Sequence, residues 1–164
     1  MKKWTADDIP DQQGNVVIIT GANSGLGYET SLALAKTGAR VVMACRNMDK
    51  GLAAKEKVLK EYSAALIDLQ PLDLASLASI RDFSQYVHKA YGQVHLLINN
   101  AGIMATPFGL TEDGFERQFG TNHLGHFALT GLLLDLILNV SGSRIVTVSS
   151  IAARRGRIDF DDLM

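Results

Sequence analysis

Three glycines, Gly21, Gly25 and Gly27, stand directly after a run of β-branched residues, Val16-Val-Ile-Ile-Thr20. A short apolar run of this kind reads as a strand buried on both faces. Behind it Leu26, Thr30, Ala33, Leu34 and Thr37 recur at helical spacing, as if lining one side of a helix. The glycines therefore fall in the turn between a buried strand and a helix start. Unpaired backbone N–H groups and the helix dipole favour an anion there. Glycine lets the turn take positive φ and lets a pyrophosphate approach without meeting a Cβ. The expected chemistry is a dinucleotide phosphate cradle. The spacing is G-x-x-x-G-x-G and not the commoner G-x-G-x-x-G, so a plain glycine-rich turn stays open until the downstream residues are weighed.

Further polar groups fall at the ends of the other predicted strands. Cys45 and Arg46 close the second strand, where a fold selective for NAD places a carboxylate on the ribose 2′-OH. A guanidinium instead matches a 2′-phosphate by charge and by its bidentate fork, which points to NADP(H) over NAD(H). An arginine considered alone is usually just solvated surface. Asp73 and Leu74 follow the third strand. A carboxylate there can accept from an adenine amino group, or cap the helix that starts near Ser76. Asn99-Asn-Ala-Gly102 follows the fourth strand, and its small residues would let backbone pass close to an adenosine; alone it is a turn signal. Ser149-Ser150 ends the fifth strand, where a hydroxyl can polarise a carbonyl or cap a turn. His123 and His126 are three apart, but no third ligand is evident and no metal is expected.

The elements that must position these groups alternate along the chain. Gly38 stops the first helix. Strand 40–45 follows, then a charged helix over 49–62 with a narrow apolar stripe (Leu52, Leu59, Tyr62). A third strand lies within 65–73, and its alternation and Pro71 predict an edge position. Helix 76–91 carries Leu77, Ile80, Phe83, Val87 and Tyr91 on one side. Strand 93–98, a long helix over 112–138 broken near Gly120, and strand 143–148 complete the series. Strands alternating with helices at this spacing imply parallel βαβ units in a doubly wound sheet, which binds ligands beyond the strands' carboxyl ends. Every candidate site residue falls at such an end.

With 164 residues the chain suits one domain with a sizeable core, residues 1–13 forming an N-terminal arm. Trp4 is expected to pack that arm. A net charge of −1 gives no case for nucleic acid or an anionic membrane. The lone Cys45 cannot form an internal disulfide, and a reducing, cytoplasmic setting is expected. The N-terminus lacks the apolar core of a signal peptide. Residues 127–138 are strongly apolar but too few to span a bilayer.

Thr20-Gly-x-x-x-Gly-x-Gly27, Asp73, Asn99-Asn-Ala-Gly102, Asn122 and Ser149-Ser150 occur in the order and spacing of the short-chain dehydrogenase/reductase family. The resemblance runs from about Gly14 to Gly156. Met43-Ala-Cys-Arg-Asn47 and Thr121-Asn-His-Leu-Gly-His-Phe127 resemble the retinol dehydrogenase and protochlorophyllide oxidoreductase group, the former somewhat better. It implies a Rossmann-type doubly wound parallel sheet of order 3-2-1-4-5 that stops after the fifth strand. It implies an oxidoreductase passing a hydride between NADP(H) and a carbonyl/alcohol substrate, with a protochlorophyllide-reductase-like enzyme as the variant. Gly21, Asn23, Ser24, Gly25, Leu26 and Gly27 would hold the pyrophosphate and adjacent ribose, and Arg46 the 2′-phosphate. Asp73 and Leu74 would meet the adenine, and Asn100, Ala101 and Gly102 the adenosine side. Asn122 matches the family asparagine whose backbone carbonyl helps hold a proton-relay water, and Ser150 the serine that bonds the substrate oxygen.

The family's acid/base pair, Tyr-x-x-x-Lys after the fifth strand, has no counterpart. Tyr28, Tyr62, Tyr86 and Tyr91 are followed four residues later by Leu32, Leu66, Ala90 and His95. The expectation is the N-terminal part of a larger enzyme, inactive alone, or a non-catalytic NADP-binding fragment. The fifth strand would then lie on an open edge, and helix 127–138 would lack a neighbour and could self-associate.

Overall fold

The computed structural model describes residues 3–154 and 156–162. Five parallel strands, β1 (Val16–Thr20), β2 (Arg40–Cys45), β3 (Leu66–Pro71), β4 (Leu96–Asn99) and β5 (Arg144–Thr147), form one sheet in the order β3-β2-β1-β4-β5. Helices α1 (Gly25–Lys36), α2 (Met48–Glu61), α3 (Leu77–Ala90), α4 (Arg117–Phe119) and α5 (Gly125–Leu138) connect them. The order is the one read from the sequence, and it reverses between β1 and β4, where such sheets bind ligands.

β1 is central because its residues satisfy a core on each face. Ile18 lies opposite Val42 and Leu97 in register, and all three are fully buried. Alternation then sorts the apolar run. Val17 and Ile19 join the cluster containing Leu34, Ala35, Ala54 and Val58 of α1 and α2. Ile18 joins Ile80, Phe83 and Val87 of α3 with Leu129 and Leu133 of α5. Each such side chain contributes roughly 1.5–3 kcal/mol on burial. β3 takes the edge that Pro71 requires, Pro71 being its last residue.

The helices over 25–36 and 48–61 turn different faces inward from those predicted. α1 buries Gly27, Ser31, Leu32, Leu34 and Ala35, while Leu26 is 70 % exposed. α2 buries Gly51, Ala54 and Val58, while Leu52 is 51 % exposed. Small residues win because both helices pack close: a Cβ on Gly51 would meet the Leu69 side chain at 2.7 Å. β4 starts at Leu96, later than predicted. Val94 N–H donates to the Leu136 carbonyl of α5 instead of to a strand, while His95 N–H donates to the Val16 carbonyl and its Nδ1 accepts from Val16 N–H.

The long helix begins at Arg117, after the Glu116 carboxylate accepts from the N–H groups of Gln118 and Phe119. It widens into a π-helical turn at Gly120–Leu124, the site of the predicted break, before continuing as α5. β5 forms the other edge of the sheet, and Arg144 to Thr147 are all exposed. α5 buries Leu129, Leu133 and Ile137 but leaves Phe127 and Leu138 largely exposed. Trp4 is also exposed, at the rim of a groove beside α1.

Candidate functional site

Where β1 and β4 diverge, a cleft of about 430 Å³ opens over the strands' C-terminal ends. Gly21, Asn23, Ser24, Leu26 and Gly27 line it from the first turn, and Arg46 from the end of β2. Asp73 and Leu74 line it after β3, and Asn100, Ala101 and Gly102 after β4. Eleven of the twelve residues expected at a dinucleotide are thus brought together. The twelfth, Gly25, lies in the same turn with φ +52, and a Cβ there would meet nothing within 4 Å. That open, positive-φ position is one side chains other than glycine rarely adopt.

The turn is also tight underneath. A Cβ on Gly27 would run into the Gly21 carbonyl and lie 2.6 Å from the Asn100 amide nitrogen; one on Gly21 would lie 2.9 Å from Ala101 Cα. These glycines bring main chain against main chain, so the first turn of α1 sits directly on the loop after β4. Ser24 is the N-cap of α1, yet its hydroxyl makes no capping bond. Asn47 and Ser76, by contrast, accept from N–H groups of α2 and α3. The first amides of α1 are left for an anion.

Thr20 organises the floor. Its Oγ1 accepts from the N–H groups of Asn100 and Ala101, both at 2.9 Å, and lies 2.9 Å from His126 Nε2. The Asn100 side chain returns a bond to the Thr20 carbonyl at 2.8 Å. Asn122 does not line the cleft. Its side chain accepts from Ile103 N–H and donates to Ile103 O, both at 2.9 Å, and its carbonyl lies 2.9 Å from His126 Nδ1. Ser150 lies outside the cleft too, exposed beyond β5, with its carbonyl accepting from Ala153 N–H.

Charge is distributed along the cleft. Arg46 is exposed, and Lys50, one helical turn further on, also lines the wall. Neither makes an ion pair among the described residues. Lys50 was not singled out from sequence, although an i, i+4 cation pair is a readable signal. Asp73, after the neighbouring strand β3, accepts from Ala75 N–H at 2.9 Å in a local turn, while Ser76 caps α3. Thr121 is a further residue the sequence reading missed. It lines the cleft at 6 % exposure and its hydroxyl has no partner. Cys45 is buried at the end of β2, and burial pushes its thiol up to about 11, so it stays a protonated thiol.

His123 stacks on Phe119 with ring centroids 5.3 Å apart, while His126 is committed to Thr20 and Asn122. Among the described residues no group of three or more His, Cys, Asp or Glu could hold a metal.

Residues 15–161 match the family model described as short chain dehydrogenase. The chain belongs to the short-chain dehydrogenase family. Human retinol dehydrogenase 13 is 50 % identical over 150 residues, covering 92 % of this chain and 45 % of that protein. Mouse retinol dehydrogenase 12 is 46 % identical, with 92 % and 48 % covered. A crystal structure of an uncharacterised protein from Mycobacterium paratuberculosis superposes with a TM-score of 0.85 at 48 % identity, covering 99 % of this chain and 56 % of that one. Menthone neomenthol reductase from Mentha piperita gives 0.71 at 25 % identity, with 84 % and 60 % covered. This short-chain dehydrogenase spans about half the length of the curated relatives it matches.

The family uses nicotinamide cofactors. The cleft fits such a group on its own geometry: a main-chain turn open above Gly25, uncapped first amides on α1, and an unpartnered buried hydroxyl at Thr121.

Proposed function

We propose that this chain holds NADP(H) in the cleft and derives from an enzyme that interconverts a carbonyl and an alcohol, with a lipophilic substrate of the retinoid kind. The single observation that carries the cofactor choice is the end of β2. Cys45 stands where an NAD-selective fold has its carboxylate, Arg46 follows it into the cleft, and Lys50 adds a second cation to the same wall. The bare turn at residues 21–27 would hold the pyrophosphate, Asp73 and Leu74 the adenine, and Asn100 to Gly102 the adenosine side. The substrate class rests on the names of the retinol dehydrogenases that the chain resembles at 46–50 % identity.

A bound nicotinamide would supply or receive the hydride. For the chain's own part, Ser150 would hold the substrate oxygen from the end of β5, and the Asn122 carbonyl would help hold a relay water. The proposal extends to a reducing, cytoplasmic setting, in keeping with the unpaired Cys45. It extends also to self-association through the exposed side of α5. No helix among the described residues is long and apolar enough to cross a membrane.

A second reading has its own observation. No tyrosine in the chain is followed four residues later by lysine, so the proton-donating pair is missing. The 164-residue chain would then be a nucleotide-binding module without turnover. Titrating NADPH and NADH by calorimetry, alongside NADPH-dependent reduction of an aldehyde, separates the two. Binding without turnover supports the module, binding with turnover supports the enzyme, and no binding of either nucleotide overturns both.

A further inference from the structure

We propose that His126 is a positioning residue of the cleft, joining the Asn122 carbonyl to the Thr20 hydroxyl as a neutral imidazole with its proton on Nδ1. The wiring follows from donor and acceptor arithmetic. A carbonyl only accepts, so the Nδ1 that lies 2.9 Å from Asn122 O carries the proton. In a neutral ring Nε2 is then a bare acceptor, 2.9 Å from Thr20 Oγ1. The hydroxyl gives its one proton to Nε2 at 2.9 Å in preference to the Ile98 carbonyl at 3.4 Å, and uses both lone pairs for Asn100 N–H and Ala101 N–H. Every donor meets an acceptor, and no other tautomer achieves that.

The ring is 4 % exposed, and burial lowers its proton affinity below the ordinary histidine value. The Asn122 carbonyl acts in the opposite direction, and His123 on the same helical segment pushes it further down. β1 and the loop after β4 face it with Thr20, Asn100 and Ala101, none of which titrates. A proton on Nε2 would turn the Thr20 hydroxyl to the Ile98 carbonyl and compete with the two loop amides for the Thr20 lone pairs. Thr20 would then release one of the loop amides. The same loop is held a second time by Asn122, through both bonds to Ile103. His126 therefore ties together the two anchors of the segment that carries Ala101 and Gly102 into the cleft.

The link to function rests on the dinucleotide reading of the cleft, and the test separates the two. The experiment takes the whole chain, resolves the histidine ring nitrogens by ¹⁵N NMR, and measures NADP⁺ affinity at about pH 7.5 and about pH 5.5. It compares wild type with H126Q, whose amide oxygen can take the place of Nε2 and cannot charge, and with H126F. The expected tautomer is Nδ1–H. H126F should lose about tenfold at the higher pH while H126Q stays within about threefold, and because the ring's proton affinity is lowered, wild type should fall by no more than about threefold relative to H126Q at the lower pH. An Nε2–H tautomer, or an H126F affinity equal to that of wild type at the higher pH, overturns the proposal. Should H126F fail to fold, the tautomer and the H126Q affinity at the higher pH still decide it. If wild type binds no NADP⁺, the cofactor reading falls, and the tautomer alone decides the wiring.

Discussion

The two sides of this sheet are built to different standards. β1 and β2 are buried over nearly their whole length, and the edge strand β3 beside them is partly buried. β5 carries Ile145 and Val146 at 40 % and 45 % exposure on an edge. The division follows the site. Groups placed to hold a dinucleotide come from the packed side and the loop at its border. Ser150, expected at the substrate, stands beyond the bare strand. A binding surface needs rigid neighbours to hold its geometry, and the packed side supplies them without help from β5.

The sharpest way to break this contrast is to cut the same kind of side chain on each side. Ile18→Ala should destabilise the chain by about 2–5 kcal/mol, and Val146→Ala by less than about 1 kcal/mol, read from urea unfolding. Similar losses would mean that the edge is as structural as the centre. Next in size, Gly27→Ala should destabilise by about 1–3 kcal/mol, since its Cβ has no room beside Gly21 and Asn100. A stable Gly27→Ala protein with unchanged nucleotide affinity would refute the close-packed turn. Arg46→Ala should weaken NADPH by about 10–100-fold and NADH by less than about threefold, while Ser150→Ala leaves both within about twofold. Equal losses for the two nucleotides in the Arg46 variant would remove the 2′-phosphate assignment.

The smallest effect belongs to His88, at the surface between α3 and α5. The Ser84 carbonyl chiefly, then the Asp135 carboxylate, holds it above the ordinary value of 6.5. A raised folded value stabilises at pH below the unfolded value, and that stability is lost as pH rises through the folded value. The urea midpoint should therefore fall slightly as pH is raised from about 6 to about 8, and His88→Gln should remove the slope. The change is small because the pair is solvated.

Much of this was legible in the residues. Short apolar runs placed the strands, the β-branched one before Gly21 most sharply, and alternation with Pro71 placed β3 at an edge. The candidate dinucleotide residues could be found because each follows a strand, and strand ends meet in a parallel sheet. The inward faces of α1 and α2 were not legible. Ranking by hydrophobicity chose Leu26 and Leu52, whereas close packing against the sheet selected Gly27 and Gly51. His126 was legible only as half of a histidine pair. Its actual partner, Thr20, is 106 residues away in sequence, and no local pattern carries that distance.

The widened turn at Gly120–Leu124 acts as an index mark for everything after it. Each residue of an ordinary helix advances the side chains by about 100°, and a π-helical turn accommodates one residue beyond the regular winding. Deleting a single residue there would return the segment to ordinary winding and leave the imidazole and Phe127 at the angular places they now hold. A second deletion would find no slack to absorb it, and the apolar ring of Phe127 would then replace the joint between the two anchors.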